Sequence, residues 1–125
     1  LIYRAKGAER FTAISDSEFA AGLAEGKLVG EDGRERFIDG GVARLSDGTI
    51  CGSASSLARG FRNLCSLGIP LWEVSRMCSA NPAKALGVFD QTGSLDVGKC
   101  ADLFLADKNF DVKTVFVDGE EVKKA

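Results

Sequence analysis

The organisation of this chain is set by residues 11–18, which read FTAISDSE. The run 11–15 is β-prone and apolar at nearly every position, and it therefore predicts a strand that is buried on both faces. This strand leads directly into an acidic polar cluster at Asp16, and α/β proteins place their chemistry at such strand ends. Because a lone buried strand cannot pair its own backbone groups, the segment also predicts neighbouring strands that this chain does not contain.

Downstream of this segment, glycine turns divide residues 27–51 into short β-prone runs. The turns are the dipeptides Asp32-Gly33, Gly40-Gly41 and Asp47-Gly48, which follow one another at intervals of eight and seven residues. Dipeptides of this kind favour tight reversals between antiparallel strands. We therefore predict a small antiparallel meander whose strands are Lys27–Val29, Arg34–Ile38, Val42–Leu45 and Thr49–Cys51.

Helical periodicity begins after the meander and continues to residue 87. The first helix of residues 53–87 has one apolar stripe, formed by Leu57, Phe61, Leu64 and Cys65. Pro70 is suited to begin a second helix. In the run Asn81-Pro82 we expect Asn81 to cap a third helix, and we expect Gly87 to end it.

The remaining residues return to β-structure. Residues 103–106 and 112–117 are predicted strands, and the Asp118-Gly119 pair predicts a hairpin that leads into residues 120–122. A hairpin of this size cannot form a core by itself, so we expect it to belong to a larger sheet.

Charge and hydropathy exclude two classes of partner. The chain has 125 residues, enough for one domain, with 16 Lys and Arg against 18 Asp and Glu and a net charge of −2. No basic field is available to hold a nucleic acid. No apolar run approaches the about 18 residues that a membrane span needs. We therefore expect no nucleic-acid partner and no membrane partner.

The reactive residue types narrow the chemistry further. The chain contains no histidine, so it cannot itself supply an imidazole base or an imidazole metal ligand. Its four cysteines form no C-x-x-C pair and so do not constitute a zinc framework. Cys65 and Cys78 fall at apolar helical positions, where free thiols pack as small hydrophobic groups. We expect reduced cysteines and a cytoplasmic location.

Several stretches together resemble a known family. They are Ile14-Ser15-Asp16, Asp47-Gly48-Thr49-Ile50-Cys51-Gly52-Ser53, Ser79-Ala80-Asn81-Pro82-Ala83-Lys84-Ala85-Leu86-Gly87 and Gly98-Lys99-Cys100-Ala101-Asp102-Leu103. In this order they closely resemble the C-terminal third of the deacetylase family that acts on N-acetylglucosamine 6-phosphate, within the amidohydrolase superfamily. The resemblance covers essentially all 125 residues. Where the family usually has Thr-Asp-Ala, this chain has Ser15-Asp16-Ser17, which keeps the hydroxyl.

The resemblance implies an α/β architecture in which this chain is the C-terminal portion of a metal-dependent (β/α)8 barrel with a small β-sandwich. Residues 1–101 would belong to the barrel, with 11–15 as its eighth strand, 27–51 as an inserted meander and 53–87 as closing helices. Residues 102–125 would be the C-terminal strands of the sandwich.

The resemblance also implies an activity, the conversion of N-acetylglucosamine 6-phosphate to glucosamine 6-phosphate and acetate in amino-sugar catabolism. Asp16 would be the general base and then the general acid, with a possible second role as a ligand in a binuclear metal site. Ile50, Cys51 and Gly52 would contact the substrate. The cofactor would be a divalent metal, zinc or iron, held by two histidines and a glutamate from earlier barrel strands.

Those metal ligands are not in this chain, so we expect the chain alone to be inactive. The partners that the resemblance implies are the phosphorylated amino sugar, the rest of the barrel and further copies in a homo-oligomer.

Other interpretations of the same residues stay open. From composition alone, Asp16 is more typical of a cap or turn aspartate, and Gly52 fits a turn before a capping serine as well as it fits a substrate contact. The chain is also compatible with another amidohydrolase specificity, or with a stand-alone interaction module that docks through unpaired strands. Lys99 lies in a partial phosphate-loop pattern that begins at Gly93, but Cys100 replaces the required Ser or Thr. Because a strand rather than a helix follows, we interpret Lys99 as a turn residue.

Overall fold

A computed structural model describes residues 1–122, and the chain divides into two compact units. The meander unit is Ile14–Gly60, and the helix-and-hairpin unit combines Leu1–Ala13 with the described residues from Phe61 onward. The predicted boundary between residues 101 and 102 does not coincide with this division. It stays a prediction about a complete barrel and sandwich, and the last three residues of its 102–125 segment lie outside the described residues.

The meander unit confirms the predicted antiparallel sheet. Its four strands pair in chain order, and they are β1 (Gly26–Val29), β2 (Glu35–Asp39), β3 (Val42–Leu45) and β4 (Ile50–Ser53). Ala20, Ile38 and Ala43 are buried at the centre of this unit. Local turn chemistry explains the agreement, because a glycine in each predicted turn has a positive φ: Gly33, Gly40, Gly41 and Gly48.

The predicted strand at residues 11–15 is not formed in the described part of the chain. Residues 11–16 belong to no β-ladder, and Ile14, predicted to be buried, is 75% exposed. The backbone at Phe11 is extended, with φ −118° and ψ 124°. A strand exists only through pairing, and no strand of residues 1–122 lies beside this segment. Within residues 1–122 the predicted strand is therefore not formed, and its place as the eighth strand of a barrel stays a prediction.

The helix-and-hairpin unit begins with α1 (Ile2–Lys6) and a 3₁₀ turn at Ala8–Arg10. The helix α2 (Leu57–Ser66) continues into it from the meander unit. The helix α3 (Leu71–Ser75) then runs through a π turn at Arg76–Ala80 into α4 (Asn81–Ala85). The predicted helical region 53–87 is therefore confirmed from Leu57 to Ala85, whereas Ser53 belongs to the preceding strand.

Asn81 differs from its prediction, because it lies inside helical backbone and does not cap a new helix. Its own N–H donates to the carbonyl of Arg76, five residues back, which widens the helix at this point. The next residue, Pro82, has no N–H to donate, and a wide turn is one way for a helix to accommodate proline. The buried Asn81 side chain donates instead to the carbonyls of Ala8, at 2.7 Å, and Phe11, at 2.6 Å.

The core of this unit is small. Ala8, Val74 and Met77 are buried, and the side chains packed against them include Cys65 and Cys78. All four cysteines of the chain are free thiols, as predicted. Burial raises the pKa of Cys65 and Cys78.

The C-terminal strands also confirm their prediction. They are β5 (Leu103–Ala106), β6 (Val112–Val117) and β7 (Glu120–Val122), and they form a three-stranded antiparallel sheet in that order. Asp118 and Gly119 have φ values of 51° and 81°, as a two-residue hairpin turn requires. None of the helices found between residues 1 and 122 is long and apolar enough to cross a membrane.

Candidate functional site

The structure brings together two of the sequence segments predicted to carry function. In the meander unit, the N–H of Ser53 donates to the carbonyl of Asp16 at 2.8 Å, and the N–H of Glu18 donates to the carbonyl of Ser53 at 2.9 Å. The Ser17 hydroxyl adds a bond to the carbonyl of Ser55 at 3.0 Å. Residues 16–18 are thus fastened to the end of β4, directly beside Gly52.

Asp16 is held in an unusual backbone conformation. Its φ is +49°, a left-handed value that costs a residue other than glycine about 1–3 kcal/mol unless its surroundings impose it. Two backbone hydrogen bonds supply that constraint, from the Ser53 N–H to the Asp16 carbonyl and from the Glu18 N–H to the Ser53 carbonyl. The Asp16 side chain is exposed, and within residues 1–122 its carboxylate takes part in no hydrogen bond or ion pair. No described residue therefore occupies this carboxylate.

Gly52 is required by the close approach of the Asp16 segment. Its φ is +144°, which side chains rarely permit, and a Cβ at this position would lie 3.0 Å from the Asp16 carbonyl oxygen. The same Cβ would lie 3.4 Å from the Cβ of Glu18. The groups that approach Gly52 in this structure are the Asp16 carbonyl and the Glu18 side chain, and substrate contact at Gly52 stays a prediction.

The other two residues of the predicted substrate-binding tripeptide face different surroundings. Ile50 is 61% exposed, whereas Cys51 packs against the buried core of the meander unit. In the pairing of β3 with β4, Ala43 lies opposite Gly52 and Arg44 lies opposite Ile50. Cys51 is therefore the extra residue of a β-bulge, a feature that often lies beside functional sites. The bulge depends on pairing with β3, and no local signal in the sequence predicts it.

A charged network beside Asp16 was also missed by the sequence analysis. Glu18 Oε1 accepts a hydrogen bond from Arg36 Nε at 2.6 Å, and the two Nη atoms of Arg36 donate to the carboxylate of Asp32 at 2.6 and 2.9 Å. The hydrogen bonds from Arg36, followed by one from the Arg34 N–H, lower the pKa of Asp32 to about 2. The spacing of these residues gave no reason to pair them, because the β1–β2 turn and the position of residues 16–18 bring them together.

Few of the described side chains lie close enough together to form a metal centre. Only one group of three metal-capable side chains occurs among residues 1–122, namely Cys100, Asp102 and Asp118, whose ligand atoms lie within 4.8 Å of one another. All three are exposed, and Asp102 Oδ1 already accepts the N–H of Asp118 at 2.9 Å. The carboxylate of Asp118 accepts a hydrogen bond from the Cys100 thiol and so raises the pKa of that thiol. These three exposed side chains are bonded to one another and to the hairpin backbone, and they lie outside the residues predicted to carry the function.

Lys99 has partners that agree with its interpretation as a turn residue. Its side chain is 11% exposed, and its Nζ donates to the Phe89 carbonyl and, at 2.6 Å, to the Ser94 hydroxyl. The same ammonium lies 3.6 Å from the centroid of the Phe89 ring. The Lys99 amine therefore binds groups within its own loop, residues 89–99. The next element of the chain is the strand β5 and not a helix.

Comparison with known proteins connects this geometry to a family. Residues 22–122 match the family described as the amidohydrolase family. An N-acetylglucosamine-6-phosphate deacetylase from Bacillus subtilis (strain 168) is 36% identical over 113 residues, which are 90% of this chain and 28% of that protein. An N-acetylgalactosamine-6-phosphate deacetylase from Escherichia coli O157:H7 is 36% identical over 115 residues, which are 90% of this chain and 30% of that protein.

A solved structure gives the same result. The crystal structure of N-acetylglucosamine-6-phosphate deacetylase from Pasteurella multocida matches with a TM-score of 0.88 at 33% identity, over 98% of this chain and 32% of that chain. The chain therefore spans less than a third of the length of each of these proteins, at 28%, 30% and 32%.

Proposed function

Because this chain belongs to the amidohydrolase family, we propose that it is part of a metal-dependent hydrolase that removes the acetyl group of N-acetylglucosamine 6-phosphate. The products are glucosamine 6-phosphate and acetate. The observation that carries the proposal is the contact of Asp16 with the Gly52–Ser53 end of β4, with 2.8 Å between the Ser53 nitrogen and the Asp16 oxygen. It brings the backbone of Asp16, the proposed proton-transfer residue, to the main chain that would bind the sugar.

Asp16 is proposed as the residue that moves the proton. Hydrolysis adds water to the amide carbon, breaks the carbon–nitrogen bond and delivers a proton to the departing nitrogen. One carboxylate can take the proton from water and then give it to that nitrogen. Asp16 suits this role because it is exposed and, among the described residues, its carboxylate has no competing cation.

A divalent metal, zinc or iron, would lower the pKa of the attacking water and polarise the amide carbonyl. The histidine and glutamate ligands that the family implies are proposed to come from parts of the barrel outside this chain, which has no histidine. Asp16 is the residue of this chain proposed to face that centre.

The tripeptide Ile50-Cys51-Gly52 is proposed to bind the substrate through its main chain. The Cys51 side chain packs in the core of the meander unit, so that side chain is not offered as a ligand. The bulge at Cys51 interrupts the β3–β4 ladder. Main-chain groups freed from a ladder can bind sugar hydroxyls or an amide.

The complete architecture is proposed on the same basis. Residues 11–15 would become the eighth strand once neighbouring strands pair with them, residues 1–101 would complete the barrel, and 102–125 would join the sandwich. We also propose that the whole protein is a cytoplasmic homo-oligomer.

A second substrate is the galactosamine isomer. The relative from Escherichia coli O157:H7, whose name gives N-acetylgalactosamine 6-phosphate, has the same 36% identity as the Bacillus relative. The two sugars differ only in the configuration of one hydroxyl, so the identities do not separate them.

A substrate panel tests the proposal. The natural protein that carries this sequence, loaded with zinc or iron, is assayed for acetate release from both N-acetylhexosamine 6-phosphates and from unphosphorylated N-acetylglucosamine. We expect the glucosamine 6-phosphate derivative to have the highest kcat/KM and the unphosphorylated sugar to be far poorer. Preference for the galactosamine isomer would identify the second substrate, and no acetate from any of the three would refute the deacetylase proposal.

A further inference from the structure

A largely buried ion pair ties the Asp16 segment to the middle of the meander sheet. Arg36 Nε and Glu18 Oε1 are 2.6 Å apart, and the two side chains are only 11% and 15% exposed. Exposed ion pairs contribute little to stability because water screens their charges. A pair this well buried offsets the cost of removing both charges from water only when its geometry is good.

Arg36 is a fixed point in this arrangement. It lies on β2, which pairs on both sides, so that Arg36 has Leu28 opposite it on β1 and Leu45 opposite it on β3. Its guanidinium forms a two-bond fork with Asp32 and lies 5.3 Å from the centroid of the Phe19 ring. The hydrogen bond to Asp32, followed by the one to Glu18, raises the pKa of Arg36, and a guanidinium stays charged in proteins.

Glu18 transmits this fixed position to the backbone at Asp16. Its N–H donates to the Ser53 carbonyl, and its Cβ lies 3.4 Å from the place a Cβ of Gly52 would occupy. Its second oxygen, Oε2, is buried and accepts no hydrogen bond from any described residue. The carboxylate is thus held from one side, by Arg36, and loss of that partner would leave residues 16–18 held only by the backbone bonds to Ser53 and the Ser17 hydroxyl.

We propose that Glu18 and Arg36 are positioning residues for Asp16, and that their ion pair holds the Asp16 carboxylate in its reactive place. This inference rests on the proposed function, in which Asp16 transfers the proton. Asp16 has a strained φ of +49°, and its own side chain has no anchor among residues 1–122. Glu18, two residues further on, has its side chain anchored to β2 through Arg36.

The test compares two matched double variants of the natural protein. Glu18→Leu/Arg36→Leu replaces the buried pair by apolar side chains, a change that folded proteins often tolerate because no lone charge remains buried. Lys27→Leu/Glu35→Leu is the control, since that pair joins β1 to β2 at 2.5 Å but is 53% and 43% exposed. Glu18→Gln is the conservative variant, because it keeps the oxygen that accepts from Arg36 and alters the oxygen that has no partner.

We expect Glu18→Leu/Arg36→Leu to lower kcat per folded molecule by about 10- to 100-fold, because small displacements of a reacting group have effects of this size. KM should stay within about twofold, since the substrate contacts themselves are not removed. Glu18→Gln should recover most of kcat, and the control should match the wild-type protein. A folded Glu18→Leu/Arg36→Leu variant with kcat near wild type would overturn the inference while leaving the proposed function intact. So would Glu18→Gln as slow as the double variant.

A second readout separates the two ideas if the wild-type protein releases no acetate. That result would remove the proposed function, and amide hydrogen exchange at residues 16–18 would then decide the positional inference alone. Faster exchange in Glu18→Leu/Arg36→Leu than in the control supports it. Equal exchange in the two variants overturns it.

Discussion

At the scale of a single residue, Cys100 shows how exposure and reactivity separate. The thiol is exposed, yet its pKa is raised, first by its hydrogen bond to the Asp118 carboxylate and further by the negative charges of Asp118 and Asp102. The thiolate is the nucleophilic form of cysteine, so a raised pKa means less of the reactive form at neutral pH. Cys100 should therefore react slowly in spite of its position.

The Asp118→Asn variant tests this explanation. Removing the negative charge should lower the pKa of Cys100, so iodoacetamide should modify Cys100 several-fold faster in the variant at pH 7.5. The difference should shrink as the pH rises and Cys100 ionises in the variant and in the wild type alike. Peptide mass spectrometry measures the rate at Cys100. The control is Glu120→Gln, an exposed carboxylate of the same hairpin that has no part in the raised pKa. Equal rates for Asp118→Asn and wild type would contradict the explanation.

At the scale of the elements, the end of β4 depends on one glycine. Gly52 combines a φ of +144° with a close approach to the Asp16 carbonyl, whereas Gly48 in the preceding turn has a φ of +86° and open space around it. A side chain added at either glycine would meet a positive φ, but only one added at Gly52 would also meet a close contact. That contact, between Gly52 and the Asp16 carbonyl, places the backbone of Asp16 beside the bulge at Cys51.

We expect Gly48→Ala to cost about 1 kcal/mol of unfolding free energy, and Gly52→Ala to cost about 2–3 kcal/mol because the added Cβ also presses on the Asp16 carbonyl. Urea unfolding of the natural protein measures both. Gly52→Ala should in addition speed amide exchange at residues 16–18, and Gly48→Ala should not. Equal costs for the two variants would show that the approach of Asp16 to Gly52 is not tight.

At the scale of the whole molecule, what could be predicted from the sequence was what is local. The strands of the meander and the Asp118-Gly119 hairpin follow from turn residues that act within a few positions. The strand at residues 11–15 is not formed among residues 1–122, because its formation needs partner strands. The bulge at Cys51 and the π turn before Asn81 were missed because pairing and packing create them.

The residues of the candidate site also divide into those that the sequence indicates and those that only the structure brings together. Asp16 and Gly52 were singled out from a strand end and a family resemblance, and the structure brings the two segments into contact. Glu18 and Arg36 were not found, because a pair 18 residues apart has no helical or hairpin spacing to reveal it. Only the path of residues 16–18 across the sheet makes them neighbours.

The surface of the described chain leads to a further prediction. Large apolar side chains are exposed in both units, among them Ile14 in the meander unit and Leu86, Leu95 and Val97 in the helix-and-hairpin unit. Surface of this kind promotes association. We therefore expect residues 1–125, produced alone, to self-associate in light scattering and to release no acetate even with zinc present. A monomeric chain with deacetylase activity would contradict both the proposed barrel and the proposed source of the metal ligands.

The most direct test of the central claim is the kcat/KM of Asp16→Asn in the natural protein, with N-acetylglucosamine 6-phosphate as substrate. If Asp16 transfers the proton, kcat/KM should fall by about 10²- to 10⁴-fold while the melting temperature is kept. Asp39→Asn, which changes an exposed aspartate of β2 in the same unit, should behave as wild type. A folded Asp16→Asn protein with kcat/KM near that of wild type would contradict the claim.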